Sequence, residues 1–279
     1  MHVSQYRPSA DRDFVLYHGD VLETLAELRH LRFDMVFADP PYFLSNGGIS
    51  VHAGRKVSVN KGVWDKSRGR DSDRNFTVEW LKACRDVMSD SATIWVCGTY
   101  HNIFIVADVL AELDFKMLNA VTWQKANPPP NLSCRYFTHS TEILLWARKE
   151  RRVPHFYNYD LMHMLAGGRQ MTDVWRMPAI APWEKTCGKH PTQKPLALAV
   201  RAILASTQDR ASILDPFAGS GTTGIAARLV GRRFVGIDSE DKYLAVAAQR
   251  HALLPMMRHE WVSKIPDLKM LTATNNSNQ

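Results

Sequence analysis

Seven short apolar runs recur along the chain at residues 14–18, 33–38, 93–97, 120–124, 142–147, 212–214 and 234–237, each bounded by turn residues. Most are apolar at successive positions rather than alternate ones, which is the pattern of strands covered on both faces. Between them, amphipathic spacing predicts helices over 21–31, 77–88, 102–113, 195–206, 222–230 and 241–253. Strand and helix in alternation predict an α/β fold with a doubly wound, mostly parallel sheet. Such sheets bind ligands beyond the carboxyl ends of their strands, so chemistry is sought just after each apolar run.

Two regions break the rhythm. Residues 43–75 are rich in Gly, Ser, Asn, Lys and Arg, and residues 148–189 mix basic residues with Tyr157, Tyr159, Trp175 and Trp183. Long irregular segments inside a compact domain are usually functional or disordered. The polar end beyond Pro266 reads as a frayed terminus.

Composition narrows the class. With 279 residues, 45% of them hydrophobic and 23% charged, the chain can bury a full core without a metal or disulfide staple. Its net charge of +7 favours a polyanionic partner, although a basic enzyme with small substrates carries the same charge. Cys84, Cys97, Cys134 and Cys187 have no C-x-x-C spacing and form no Cys/His cluster, so reduced thiols in a cytoplasmic protein and no metal site are expected. No apolar run of signal-peptide or membrane-spanning length exists, which argues against a membrane partner.

The first chemical element follows the run at 212–214: Asp215-Pro216-Phe217-Ala218-Gly219-Ser220-Gly221, then a predicted helix. Glycines let the backbone turn tightly and let a ligand approach. The helix N-terminus offers free N–H groups to an anionic group, such as the methionine carboxylate of S-adenosylmethionine. The next predicted strand ends in Asp238, 23 positions after Asp215, near the ~20-residue offset at which an acid meets ribose hydroxyls. Read singly, Asp215 and Asp238 are equally well strand-end caps. Asp20, after the first run, is an N-cap candidate in an Asp-x-x-Glu box with Glu23, a neighbour for the adenine of a cofactor, or both.

The run at 33–38 leads into Asp39-Pro40-Pro41-Tyr42. Two prolines stop the ladder and remove two N–H donors, leaving a stiff turn with carbonyls free to accept. An exocyclic amine on a nucleobase is a poor nucleophile because its lone pair is delocalised into the ring. A carboxylate and a carbonyl that accept its hydrogens draw the nitrogen toward tetrahedral geometry and stabilise the developing charge. Proximity to a sulfonium methyl supplies the rest, and the Tyr42 ring suits stacking of an extruded base. In isolation these four residues are an ordinary turn; their place after a buried strand, on a sheet that also carries the glycine turn, changes that.

Together the motifs resemble the β-group amino-methyltransferases of restriction–modification systems, over about residues 14–250. The resemblance implies a Rossmann-like methyltransferase sheet in circularly permuted order, catalysis first and cofactor loop last. It implies catalytic roles for Asp39, Pro40, Pro41 and Tyr42. It implies S-adenosylmethionine contacts from Asp215, Pro216, Phe217, Ala218, Gly219, Ser220 and Gly221, with Asp238 beyond them. His190, Thr192 and Lys194, in His190-Pro191-Thr192-Gln193-Lys194-Pro195, match the family's third hallmark at the methionine pocket, and Asp20 matches the position beside the cofactor's adenine. Aspartate at position 39 points to adenine N6 in DNA. Phe43-Leu44-Ser45-Asn46-Gly47-Gly48 and the segment 131–140 are similar to DpnA-type enzymes, which act at GATC and accept single strands. Family members often pair as homodimers.

The expected organisation is a catalytic half over 1–147, an inserted target-recognition region over 148–189, a cofactor half over 190–265 and a tail over 266–279. Arg55, Lys56, Lys61, Lys66, Arg68, Arg70 and Arg74 either clamp DNA or form a solvated basic loop. Trp95, Trp123 and Trp146 are expected in the core. The competing readings are methylation of cytosine N4, of RNA or of a glutamine amide, a non-catalytic nucleic-acid-binding protein of the same fold, and a nicotinamide dehydrogenase.

Overall fold

The computed structural model describes residues 4–6, 11–43, 49–52, 55–58, 65–131, 133–188 and 190–277. In it the apolar runs become the centre of a nine-stranded sheet. The strands are β1 (Ser4–Tyr6), β2 (Phe14–His18), β3 (Phe33–Ala38), β6 (Met88–Gly98), β7 (Lys116–Lys125), β8 (Thr141–Arg148), β9 (Val174–Met177), β10 (Ser212–Asp215) and β11 (Arg233–Asp238); β4 (Ile49–His52) and β5 (Arg55–Ser58) pair separately. Their order is β1-β2-β11-β10-β3-β6-β8-β7-β9. The block from β2 to β6 is parallel, and β1 and β8 run against it. This is the doubly wound, mostly parallel sheet expected, with cofactor-half strands β10 and β11 lying between β3 and β2.

Burial on both faces explains the unbroken apolar runs. Met35 and Phe37 of β3 join one hydrophobic cluster, whereas Val36 and Ala38 join the other. Helices α5 (Leu196–Ser206), α6 (Thr222–Leu229) and α7 (Asp241–Lys264) cover the first face; α1 (Val21–Glu27), α2 (Arg70–Val87) and α3 (Ile103–Glu112) cover the second. Trp95, Trp123 and Trp146 are buried, and Trp95 stacks on Trp146 with centroids 4.9 Å apart. Among the described residues no helix is long and apolar enough to cross a membrane.

Several elements differ from the sequence reading. The terminus beyond Pro266 is not frayed: Pro266–Ser277 form helix α8, with Leu268 in the core and Asp267 bonded to the Arg201 guanidinium at 2.6 and 2.8 Å. One buried leucine and one buried ion pair outweigh the polar composition of that segment. Residues 148–189 are not irregular throughout. They contain α4 (Tyr159–Leu165) and β9, which pairs in parallel with β7 and buries Trp175 and Met177 while Val174 and Arg176 face outward. That period-2 alternation in four residues is too short to stand out beside its aromatic neighbours. The basic loop ends earlier than expected, because α2 begins at Arg70. Arg74 pairs with Asp108 and Glu112 of α3 at 3.3 and 2.6 Å. Lys61 and residues 44–48 lie outside the described residues.

Candidate active site

Four acids end four neighbouring strands or follow directly upon them. In the order β2, β11, β10 and β3 these are Asp20, Asp238, Asp215 and Asp39, which the parallel register places along one edge of the sheet. The chain leaves β3 and β10 in opposite directions, so the crevice outside their carboxyl ends is a topological switch point, where doubly wound sheets bind ligands. A cavity of about 280 Å³ opens there, lined by Asp20, Asp39, Pro40, Pro41, Tyr42, His190, Thr192, Pro216, Phe217, Gly219 and Asp238 among others.

One wall is mostly backbone. Gly219 and Gly221 have φ of +49° and +73°, a region disfavoured for other residues. A Cβ on Gly221 would lie 2.7 Å from the Cβ of Ala247, and one on Gly219 would lie 3.1 Å from Nε2 of His190. The turn delivers the chain into α6, and Gly219 N–H donates to the Asp238 carboxylate at 2.7 Å. Asp238 also accepts from Glu240 N–H at 2.8 Å, yet burial is the larger influence and pushes its pKa up to about 6. Burial likewise pushes Asp215 up to about 7, against hydrogen bonds from Thr223 and from Phe217 N–H. Asp215 is therefore inside the turn, while Ala218, Ser220 and Gly221 shape it from behind. The Ser220 carbonyl accepts from buried Arg250 at 2.7 Å. His190 lies edge-on to Tyr243, centroids 4.2 Å apart, and accepts from Thr192 N–H at Nδ1. Asp20 caps α1, accepting from Leu22 N–H at 2.8 Å, and lines the cavity.

The other wall is built of side chains. Asp65, fully buried, accepts from the N–H groups of Tyr42 and Phe43 at 2.8 and 2.9 Å and so pins the end of the Asp-Pro-Pro-Tyr turn. The Tyr42 hydroxyl donates to Asp39 Oδ1 at 2.7 Å and lies 3.3 Å from Glu142 Oε2. Lys194 Nζ sits 2.7 and 2.6 Å from the two Asp39 oxygens and 3.6 Å from Glu142, and Lys125 meets the far oxygen of Glu142 at 2.6 Å. Two carboxylates and two ammonium groups thus balance around one phenol. Burial opposes the charge on Lys194, but Asp39 and Glu142 outweigh it and raise its pKa; burial, then Asp39 and Glu142, raise that of Tyr42.

Lys194 is accordingly placed against Asp39, not among the cavity-lining residues of the glycine turn. Asp65, Lys125 and Glu142 were missed as site residues. A charged residue opening an apolar run was the one sign available for Glu142; Asp65 gave none inside a polar loop. Among the described residues no cluster of three metal-ligating side chains occurs.

Comparison with known proteins finds DNA methyltransferases. Residues 33–249 match the DNA methylase family model for N6 and N4 enzymes. The chain is 50% identical over 266 residues to the Type II methyltransferase M2.MboI of Moraxella bovis, covering 95% of this chain and 97% of that one. It is 52% identical over 237 residues to M2.DpnII of Streptococcus pneumoniae, covering 85% and 88%. Among solved structures it resembles M1.HpyAVI in complex with SAM (TM-score 0.66, 28% identity, 85% of this chain and 98% of that one). The fold also matches the cytosine-N4-specific PvuII DNA methyltransferase (TM-score 0.68, 16% identity, 89% and 90% covered).

Proposed function

The chain belongs to the DNA methylase family that its residues 33–249 match, and on that premise we propose that it transfers a methyl group from S-adenosylmethionine to adenine N6 in DNA at GATC. The observation that carries this reading is the position of Asp39, at the carboxyl end of β3 on the rim of the cavity that the glycine turn closes. The resemblance of 43–48 and 131–140 to DpnA-type enzymes, and the half-identity to M2.MboI and M2.DpnII, support GATC. The same resemblance extends the proposal to single-stranded substrates and to a homodimer.

The cavity fits S-adenosylmethionine on three counts. Asp238 and Asp20 offer carboxylates to ribose hydroxyls and to the adenine side. Gly219 leaves open the space that a Cβ would take beside His190. The start of α6 gives a positive dipole end for the methionine carboxylate. When bound, the cofactor supplies an electrophilic methyl group on a sulfonium.

The residues of the chain do the rest. Asp39 and the carbonyls of the Pro40–Pro41 turn accept the hydrogens of the target amine, which concentrates electron density on nitrogen as it attacks. Lys194 holds both Asp39 oxygens from a buried position, where such a contact is stronger than in solution. Tyr42 presents a ring against which an extruded base stacks.

The test is mass analysis of nucleosides from oligonucleotides incubated with labelled cofactor, with GATC intact or scrambled, in one strand or two. Labelled N6-methyladenine confined to GATC is expected. Labelled N4-methylcytosine would sink the adenine assignment, and equal labelling of scrambled DNA would sink GATC.

A further inference from the structure

The proposed reaction asks Asp39 to accept a hydrogen from the target amine, yet both of its oxygens already face Lys194 at 2.6 and 2.7 Å. A carboxylate has about four lone-pair sites. Lys194 and the Tyr42 hydroxyl take three of them, so the direction of the last depends on how firmly Lys194 is drawn to Asp39. Lys194 is itself shared. Glu142 Oε2 lies 3.6 Å from its ammonium, and Lys125 holds the other Glu142 oxygen at 2.6 Å.

We infer that Glu142 and Lys194 are positioning residues for methyl transfer, Lys194 orienting Asp39 and Glu142 holding Lys194 between two carboxylates so that Asp39 stays free to accept from the amine. The inference rests on the proposed role of Asp39. The four charged side chains are each at most 18% exposed, so their mutual attraction is little screened. They come from β7, β8, the turn after β3 and the segment before α5, which rules out simple local helix pairing as the reason for the cluster. Glu142 is the second residue of a strand whose following residues run into the core, an unfavourable place for a lone charge. With the partners present, its charge is compensated.

Removing the charge of Glu142 leaves Lys194 to Asp39 alone. The pair tightens, and Asp39 is drawn from the geometry the amine requires. A misplacement of about 1 Å at a reacting centre can cost about 100-fold in rate. Glu142→Gln is therefore expected to lower kcat by about 10- to 100-fold, with the KM values for DNA and cofactor unchanged.

The split between kcat and KM separates this role from a structural one. Lys194 is faced by Asp39, Glu142, the buried Cys97 thiol and the Tyr42 ring, whose centroid is 5.1 Å away, with Lys125 behind Glu142. Burial opposes the charge on Lys194, but Asp39 and then Glu142 raise its pKa; Asp39 remains in Glu142→Gln, so Lys194 keeps its proton there and the effect is one of geometry. Lys125→Gln removes the ammonium that fixes Glu142 and is expected to lower kcat in the same sense by a smaller factor, again with KM unchanged.

The experiment is steady-state methylation at pH 8 by the intact chain, Glu142→Gln and Lys125→Gln, with melting temperatures in parallel. A fall in kcat with KM values and melting temperature kept in Glu142→Gln supports the inference. Unchanged kcat, or a loss confined to KM, overturns it. Should Glu142→Gln fail to fold, Lys125→Gln decides, and an unchanged kcat there overturns the inference. An inactive intact chain would defeat the proposed function as well. N4-methylcytosine as the product would defeat only the choice of base.

Discussion

The two walls of the cavity are built by different means. Around Gly219 the wall is a contiguous turn whose shape depends on positive φ angles and on the absence of side chains. Around Asp39 it is an assembly of side chains, in which the central pair, Asp39 and Lys194, is 155 positions apart in sequence. The first wall is limited by steric fit and contains two carboxyls whose charge burial disfavours, Asp215 and Asp238. The second is held by charge balance, two acids against two lysines. Substitutions in the first should act on stability and cofactor affinity; substitutions in the second should act on turnover.

The largest expected effect is on the second wall. Asp39→Ala should lower methyl transfer by about 10³-fold, the upper range for losing one preorganised polar group. Calorimetry should find the cofactor bound within about threefold of its original affinity, since its proposed contacts lie on the other wall. A matching loss of cofactor affinity would show that the walls are one coupled unit.

Gly221→Ala tests the first wall. The new Cβ would press on Ala247 at 2.7 Å, and φ of +73° disfavours any side chain. Left-handed strain and overpacking together cost about 3 kcal/mol. A clearly lower melting temperature and weaker cofactor binding are expected. If instead the variant binds cofactor normally and only kcat drops, the steric account of this wall is wrong.

Asp65→Ala sharpens the contrast at a smaller magnitude. It removes the shared acceptor of two N–H groups that pins the Asp-Pro-Pro-Tyr turn, worth about 2 kcal/mol. Turnover should fall while cofactor affinity holds, as read from single-turnover rates and calorimetry on one preparation. Equal turnover would mean that the two prolines alone stiffen the turn.

The same contrast explains what could be read from the sequence. The glycine turn is seven consecutive positions after an apolar run, so its local chemistry is visible in the order of residues. The strands of the parallel block were visible because both faces bury apolar side chains, as Val36 and Phe37 do. The ion balance at Asp39 was not visible, because Lys125, Glu142 and Lys194 meet only after the sheet has formed. Lys194 was assigned by its neighbours in a motif, yet its side chain reaches across to Asp39. Strand β9 and helix α8 were hidden for a related reason: each is held by a few tertiary contacts, Trp175 in the core and Asp267 on Arg201, that leave little periodic signal.

The smallest effect concerns the carboxyls of the glycine wall. Burial raises Asp238 from an ordinary value of 3.8 to about 6 and Asp215 from 3.8 to about 7. A folded-state pKa above the unfolded one favours the protonated fold. This contribution to stability is therefore fully present below about pH 4 and is lost as pH rises through 6 to 7. For the ligand-free chain these two groups should raise the melting temperature as pH is lowered from 8 to 5. Asp238→Asn removes one share of that dependence. It should flatten the profile relative to the intact chain and weaken cofactor binding through loss of the proposed ribose carboxylate, with an offset common to all pH values of about 1–3 kcal/mol for the one backbone N–H that the amide can no longer accept. Lys194 should contribute nothing to that difference, because it keeps its proton well above this range. If the two melting profiles are parallel from pH 8 to 5, the charge of Asp238 is not strained by burial, and the glycine wall is distinguished from the catalytic wall by shape alone.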